Sequence, residues 1–281
     1  MVVLEKACAK INLFLDVIGL REDGFHELRT VMQTVSLEDT VEICITPAAS
    51  AAVHLETTAA ELPTDAGNLA YRAAALYLAE SGMPSCVDIR IEKRIPIAGG
   101  LAGGSADAAA VLRGMNRLLR RFSEHDLLDL AAKLGSDVPF CLLGGVRLCG
   151  GRGEQMASFS LPQEGYYVLL NGGERVSTPA AFRALDEKYA PWQAQVAEDR
   201  LCAFTKEPYQ NIFNIFESVV LPSCPIAQEQ RNTIEALGGV AFMSGSGATI
   251  VGWFSTKAEA MRAAEATGGI FAEGTPAYVD F

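Results

Sequence analysis

The chain has 281 residues, a length that suggests about two domains, and its 49% apolar and 20% charged residues are those of an ordinary soluble globular protein. A formal net charge of −11 leaves no basic face for nucleic-acid phosphates, so any anionic ligand has to be held by local donors. No window of about eighteen apolar residues offers a membrane span, and Met1-Val2-Val3-Leu4-Glu5-Lys6 lacks the ordered regions of a signal peptide, so the sequence predicts a cytoplasmic protein.

Residues 1–60 read as strands. Apolar residues recur at every second position, Ile11, Leu13, Leu15 and Val17, over 10–17, and 40–45 follows the same period. Residues 68–78 read as a helix. Val87, Ile89 and Ile91 then alternate with Asp88, Arg90 and Glu92, a half-buried strand of the kind found in antiparallel sheets with one wet face. After a glycine-rich loop, Ala108, Val111, Leu112, Met115, Leu118 and Leu119 recur at helical spacing, so a helix starts near Ser105. Another helix covers 126–134 and ends at Gly135. Ser136 is expected to cap a short helix through Asp137-Val138-Pro139. Glycines at 144–145 and 150–153 mark turns around a strand at 146–149. A second unit begins near residue 160, with strands at 166–170, 240–243 and 249–254 and helices near 178–189, 211–219, 227–236 and 257–267. Strands mixed with helices without strict alternation predict an α+β fold of two domains, 1–158 and 159–281, that share a face.

The seven cysteines are scattered without a Cys-x-x-Cys pair, which predicts reduced thiols. The histidines are only His26, His54 and His125, with no metal-ligand spacing, so no protein-built zinc site is expected.

The most informative stretch runs from Lys93 through Pro96-Ile97-Ala98-Gly99-Gly100-Leu101-Ala102-Gly103-Gly104-Ser105-Ala106, with four glycines in six residues. A turn from strand to helix needs one or two. A glycine loop that opens onto a helix N-terminus presents uncrowded backbone N–H groups and a favourable dipole to an anion, so this is a phosphate-binding loop. It has no Gly-Lys-Ser/Thr, which a Walker loop needs, and no buried parallel strand before it, which a Rossmann loop needs. Other segments say little singly. Ser244-Gly245-Ser246-Gly247 between two apolar strands is first a hairpin turn, Asp23-Gly24 a turn signal, Lys10 a solvated strand lysine, and Asp137 a helix-dipole residue.

Together, Ala9-Lys10-Ile11-Asn12-Leu13, Arg21-x-Asp23-Gly24-Phe25-His26, the glycine loop, Leu134-Gly135-Ser136-Asp137-Val138-Pro139 and Ser244-Gly245-Ser246-Gly247, in this order and spacing, resemble the GHMP kinases over nearly the whole chain. The first two segments and Gly135-Ser136-Asp137-Val138-Pro139 resemble the branch that phosphorylates a cytidine-diphosphate-linked methylerythritol. The resemblance implies a ribosomal-protein-S5-like N-terminal domain, a ferredoxin-like C-terminal domain and a cleft where ATP meets a small-molecule alcohol, with Mg2+ arriving on ATP and no metal held by the protein alone. It implies that 96–106 wraps the triphosphate, that Asn68 and Lys93 lie near the adenosine, and that Asp137 is the base with Lys10 as partner. It also implies that Asn12, Phe25, His26, Thr178 and Phe182 hold the substrate, with Phe25 and Phe182 stacked on cytosine. Phe25 stands where that branch often has tyrosine, and Ala106 where it often has serine. Asn214-Ile215-Phe216-Glu217 lacks an aspartate often found after the asparagine. Ala102 stands where glycine is frequent, which predicts a negative φ there. A kinase with a mevalonate- or homoserine-like substrate and a silent nucleotide-binding regulator are the alternatives. The oligomeric state is left open.

Overall fold

The computed structural model describes residues 1–278. Two long strands, β1 (Val2–Leu20) and β2 (His26–Pro47), form an antiparallel hairpin whose turn is closed by Arg21 N to Phe25 O at 2.8 Å, with Gly24 at φ 80°. The Asp-Gly signal is therefore the tip of this hairpin. Both strands run well beyond the predicted 10–17 and 40–45. From Ala7 to Val17 β1 is buried on both faces, and register shifts at Cys8/Lys10, Asn12/Phe14 and Val17/Gly19 interrupt its pairing, so a simple period of two does not trace its length.

The edge strand β3 (Ala52–Thr57) pairs in parallel with β4 (Ser85–Glu92), which pairs antiparallel with β2; helix α1 (Leu69–Ser81) lies between them in sequence. The alternating burial of β4 is as predicted. Helix α2 (Gly103–Leu119) starts two residues before Ser105 and presses its buried alanines and Val111, Leu112 and Met115 onto the sheet and α1. Next come α3 (Glu124–Leu134), with a Ser123/Asp126 capping box, and α4 (Val138–Leu143). The residue at the N-terminal cap of α4 is Asp137 rather than Ser136, and its carboxylate makes no capping bond. Strands β5 (Val146–Gly150) and β6 (Gln155–Ser158) extend the sheet from β2.

The second sheet has the order β11-β7-β10-β9, built from β7 (Tyr166–Leu170), β9 (Val240–Met243), β10 (Ile250–Phe254) and β11 (Ile270–Glu273), all antiparallel. It is flanked by α5 (Thr178–Tyr189), α7 (Glu217–Val220), α8 (Pro225–Ala236) and α9 (Lys257–Thr267), whereas α6 (Ala194–Lys206) packs on β1 of the first sheet. The helix predicted over 211–219 is not formed. Phe213–Asn214 becomes β8, paired in parallel with Phe14 and Leu15 of β1, and only four residues after it are helical. Asn214 has a fixed task there: its amide donates to the carbonyls of Met243 and Gly245 at 2.7 and 2.8 Å, which a regular helix would not allow. Helix α6 has no counterpart among the predicted helices, although Ala197, Leu201 and Phe204 are buried at helical spacing.

The two halves share one interface. Phe204 of α6 packs 5.5 Å from Phe14, and the chain after β11 returns to the first sheet, with Thr275 N donating to Thr34 O at 2.9 Å and Tyr278 N to Leu143 O at 2.8 Å. Among the described residues, no helix is long and apolar enough to cross a membrane. All seven cysteines are free thiols, four of them buried. Burial pushes the Cys141 and Cys149 thiols up, Cys149 to about 12, so both stay protonated and unreactive in the native state. Denatured without reductant, freshly prepared protein should titrate seven thiols with a thiol reagent; five or fewer would contradict the reduced state.

Candidate active site

Between the two sheets lies a cleft of about 860 Å³. Its floor is β1. Lys10 and Asn12, two residues apart and so on one face of the strand, both point into it from between two register shifts. Lys10 is not the solvated lysine its strand phase suggests; it is only 4% exposed. Its Nζ donates to Asn12 Oδ1 at 2.7 Å and stands 3.6 Å from Asp137 Oδ2. Asn12 Oδ1 also accepts from Gly245 N at 3.1 Å, and Asn12 Nδ2 donates to Thr30 Oγ1 at 2.8 Å. Thr30 in turn donates to Phe14 O at 2.7 Å. This chain fixes the Lys10 ammonium beside a carboxylate that is 36% exposed and caps nothing. Asp137 is thus free to meet a ligand, which dipole complementarity alone would not require.

The glycine loop forms one wall. Pro96, Ala98, Gly99, Gly100, Ala102, Gly103, Gly104 and Ser105 line the cleft, and Ile97 lines a side pocket of about 190 Å³ that opens from the same loop. Leu101 and Ala106 turn into the core instead, and Leu101 contributes its carbonyl to Lys10 N at 3.1 Å. Ala102 corrects the expectation of a negative φ: it sits at φ 58°, as does Ala98, because the chain has to reverse sharply for the Ala102 carbonyl to accept from Ala106 N at 2.9 Å and open the helix. For an L-residue that conformation costs about 1–2 kcal/mol. The first-turn N–H groups of Gly103, Gly104 and Ser105 have no intrahelical acceptor and no side-chain cap, which is the arrangement that binds phosphate.

The second glycine loop is a hairpin turn between β9 and β10, as its composition suggests, but it is also packed against the first. Ser244 Oγ donates to Gly100 O at 3.1 Å, and a methyl group on Gly100, at φ 76°, would lie 2.2 Å from Ser244 O. Asn214 holds this turn from below through Gly245 O. Sequence reasoning gave Asn214, Thr30 and Ser244 no individual role; their signal is hydrogen bonding between segments far apart in sequence, across the halves only for Ser244, which no local pattern carries.

The far end is aromatic. His26 and Phe182 rings stack 4.4 Å apart at 17°, Phe216 meets Phe182 edge-on at 4.9 Å, and Asp186 accepts from His26 Nε2 at 2.8 Å and from Trp192 Nε1 at 3.2 Å. Phe25 is 51% exposed at the hairpin tip, with the Arg152 guanidinium 4.7 Å from its ring centroid. Thr178 Oγ1 is 2.7 Å from Ser246 Oγ. All four substrate positions that the sequence placed away from β1 therefore reach this cleft, although Phe182 has His26 as its stacking partner rather than Phe25.

Asn68 and Lys93 lie together in the side pocket. Asn68 caps α1 by accepting from Ala70 N at 2.9 Å and donates to Pro63 O at 2.9 Å. Lys93 is buried between two carboxylates, bonded to Asp39 and, at 2.6 Å, to Asp107. Burial, with Asp39 beside it, holds the Asp107 carboxyl above the ordinary carboxylate range despite Lys93. Lys93 is therefore first an internal counter-charge at the base of the loop.

Two family models match the chain: the GHMP kinases N terminal domain over residues 68–145 and GHMP kinases C terminal over 203–268. The chain is 39% identical to the 4-diphosphocytidyl-2-C-methyl-D-erythritol kinase of Caldicellulosiruptor saccharolyticus, over 92% of this chain and 91% of that protein. It is likewise 39% identical to the enzyme of that name from Bacillus subtilis, over 93% and 91%. A crystal structure of 4-(cytidine 5'-diphospho)-2C-methyl-D-erythritol kinase superposes with a TM-score of 0.79 at 37% identity, covering 97% of this chain and all of that one. A homoserine kinase from Cytophaga hutchinsonii, at 20% identity and TM-score 0.78, shares the fold. Identity at this level over more than nine-tenths of each chain goes beyond a shared architecture, and the chain belongs to the GHMP kinase family, among its 4-diphosphocytidyl-2-C-methyl-D-erythritol kinases.

Proposed function

We propose that this cleft transfers the γ-phosphoryl group of ATP to the 2-hydroxyl of 4-diphosphocytidyl-2-C-methyl-D-erythritol, with Asp137 as the base and Lys10 as its partner. The observation that carries the assignment is the 3.6 Å Lys10–Asp137 pair, open to the cleft and facing the uncapped N-terminus of α2. Phosphoryl transfer needs an acceptor oxygen in line with phosphorus and little covalent help, so positioning and charge stabilisation dominate. Asp137 takes the hydroxyl proton. Lys10, fixed by Asn12, holds its ammonium 3.6 Å from that carboxylate and faces the negative charge that develops. The N–H groups of 103–105 bind phosphate oxygens, and the side pocket beside Asn68 receives the nucleoside. Among the described residues, the only carboxylates lining the main cleft are Asp137 and Asp186, too few for a protein cage, so Mg2+ rides on the phosphates and water. We take 1–158 and 159–281 as the two lobes, with β8 lent by the second to the sheet of the first.

The cytosine lies against the aromatic end, between the open ring of Phe25 and the His26–Phe182 stack. A mevalonate- or homoserine-like substrate has no ring for such a surface. Phe182→Ala should therefore lower kcat/KM for the cytidyl substrate by about 1–3 kcal/mol, the size of one lost stack. Phe25→Tyr keeps its stacking face and should be nearly neutral. A Phe182→Ala protein with normal melting and unchanged kcat/KM would remove the aromatic end from the substrate site.

A further inference from the structure

The sequence offered no metal-ligand spacing, yet strand register assembles one outside the cleft. Strands β3 and β4 run in parallel with His54 beside Asp88 and Ala52 beside Cys86. Cys86 and Asp88 are two residues apart and so share the wet face of β4, whose alternate residues Val87 and Ile89 are buried. The result brings three different donors together: His54 Nδ1 lies 2.9 Å from Asp88 Oδ1 and 3.8 Å from Cys86 Sγ, and all three donor atoms fall within 4.8 Å of one another. Ligands of a tetrahedral zinc ion stand about 3.3–3.7 Å apart, given its usual bond lengths. Shifts of about an ångström or less in exposed side chains would close the set. On the other side of β4, Cys44 of β2 is directly across from Asp88, which puts a further thiol on this face.

The geometry points to a Zn2+ site formed by His54, Cys86 and Asp88 on the outer face of the N-terminal sheet, with the fourth position open to water or to Cys44. An imidazole and a thiolate select a borderline-soft ion over the Mg2+ that serves the phosphates, since Mg2+ demands oxygen ligands. None of the three residues lines the main cleft or its side pocket, so the site is separate from the kinase centre. It would staple β3, which reaches the sheet only through β4, at an edge where backbone groups are otherwise unprotected. Because thiolate and neutral imidazole are the ligating forms, affinity should rise from pH 6 to pH 8.

The test uses untagged full-length protein without nucleotide, titrated with Zn2+ against a chromophoric chelator. One ion per chain is expected. Cys86→Ser and His54→Ala should each weaken binding by at least the roughly 10–100-fold that loss of an outer-shell partner costs, while Cys202→Ser, an exposed thiol elsewhere, should leave it intact. Co2+ in place of Zn2+ should give a thiolate charge-transfer band that Cys86→Ser abolishes, and Zn2+ should raise the melting temperature of the wild type but not of Cys86→Ser. Kinase turnover should be the same in the variants. Absence of stoichiometric binding, binding unmoved by both ligand substitutions, or binding lost with Cys202→Ser would overturn the site.

Discussion

Asp137→Asn should lose about 10²–10⁴-fold in turnover, the usual share of general-base catalysis and about 3–5 kcal/mol of barrier. The amide keeps the shape of the side chain but cannot take a proton from the acceptor. Two structural facts make this substitution clean. The carboxylate caps no helix N–H and the amide still offers an oxygen to the buried Lys10 ammonium, so the protein should remain folded, and the glycine loop proposed to bind ATP is built from other residues, so ATP affinity should hardly move. Lys10→Met is the companion. It retains the buried stem but removes the charge 3.6 Å from the carboxylate, so its loss should fall on kcat. A rise in KM for ATP alone would make Lys10 a phosphate anchor. An Asp137→Asn enzyme with more than a third of wild-type turnover would end its assignment as the base.

Gly100→Ala should destabilise the protein by about 2–5 kcal/mol, combining the cost of a left-handed L-residue with that of overpacking. The new methyl would meet the Ser244 carbonyl at 2.2 Å, and backbone on both sides leaves neither atom a rotamer to escape into. The two glycine loops would have to part, breaking the Ser244–Gly100 bond and shifting the turn that holds Asn12 through Gly245. Gly104→Ala is the control. Nothing lies nearer than 3.9 Å to its added carbon, so its unfolding midpoint in denaturant should stay close to wild type. Equal midpoints for the two variants would show that the loops do not depend on this contact.

The fold was legible where burial is one-sided. Strand β4 and helices α3, α8 and α9 are legible nearly to their ends because one face meets solvent and the period survives, whereas α2, buried all round from Ala106 to Asn116, is legible from the spacing of its large apolar residues among small ones. Strands β1 and β2 were read short because β1 is buried on both faces and its register shifts break the alternation. The helix predicted at 211–219 gave way to β8 because the backbone of β1 and the Gly245 turn claim Phe213 and Asn214 from outside their own segment. At the site, the glycine loop announced itself by composition alone. Lys10 and Asp137 had ordinary local explanations and gained meaning only through the other segments and their order. The register-made cluster at His54, Cys86 and Asp88 had no sequence signal, since parallel strands place partners at separations no motif encodes. Ala102 shows the opposite limit: alanine argued for negative φ, but the tertiary demand of the turn into α2 outweighed the residue's own preference.

The central claim is that this cleft phosphorylates a cytidyl-linked alcohol, and acceptor discrimination with product identification tests it most directly. Purified protein with Mg2+ and ATP should convert 4-diphosphocytidyl-2-C-methyl-D-erythritol to a product carrying one new phosphate monoester on the 2-hydroxyl, read by phosphorus NMR, with one ADP released per product. Free 2-C-methylerythritol 4-phosphate should be a very poor acceptor, because binding energy from the remote cytidyl group is what positions the reacting hydroxyl. Equal rates with the two acceptors, or ADP release that no acceptor accelerates, would contradict the account.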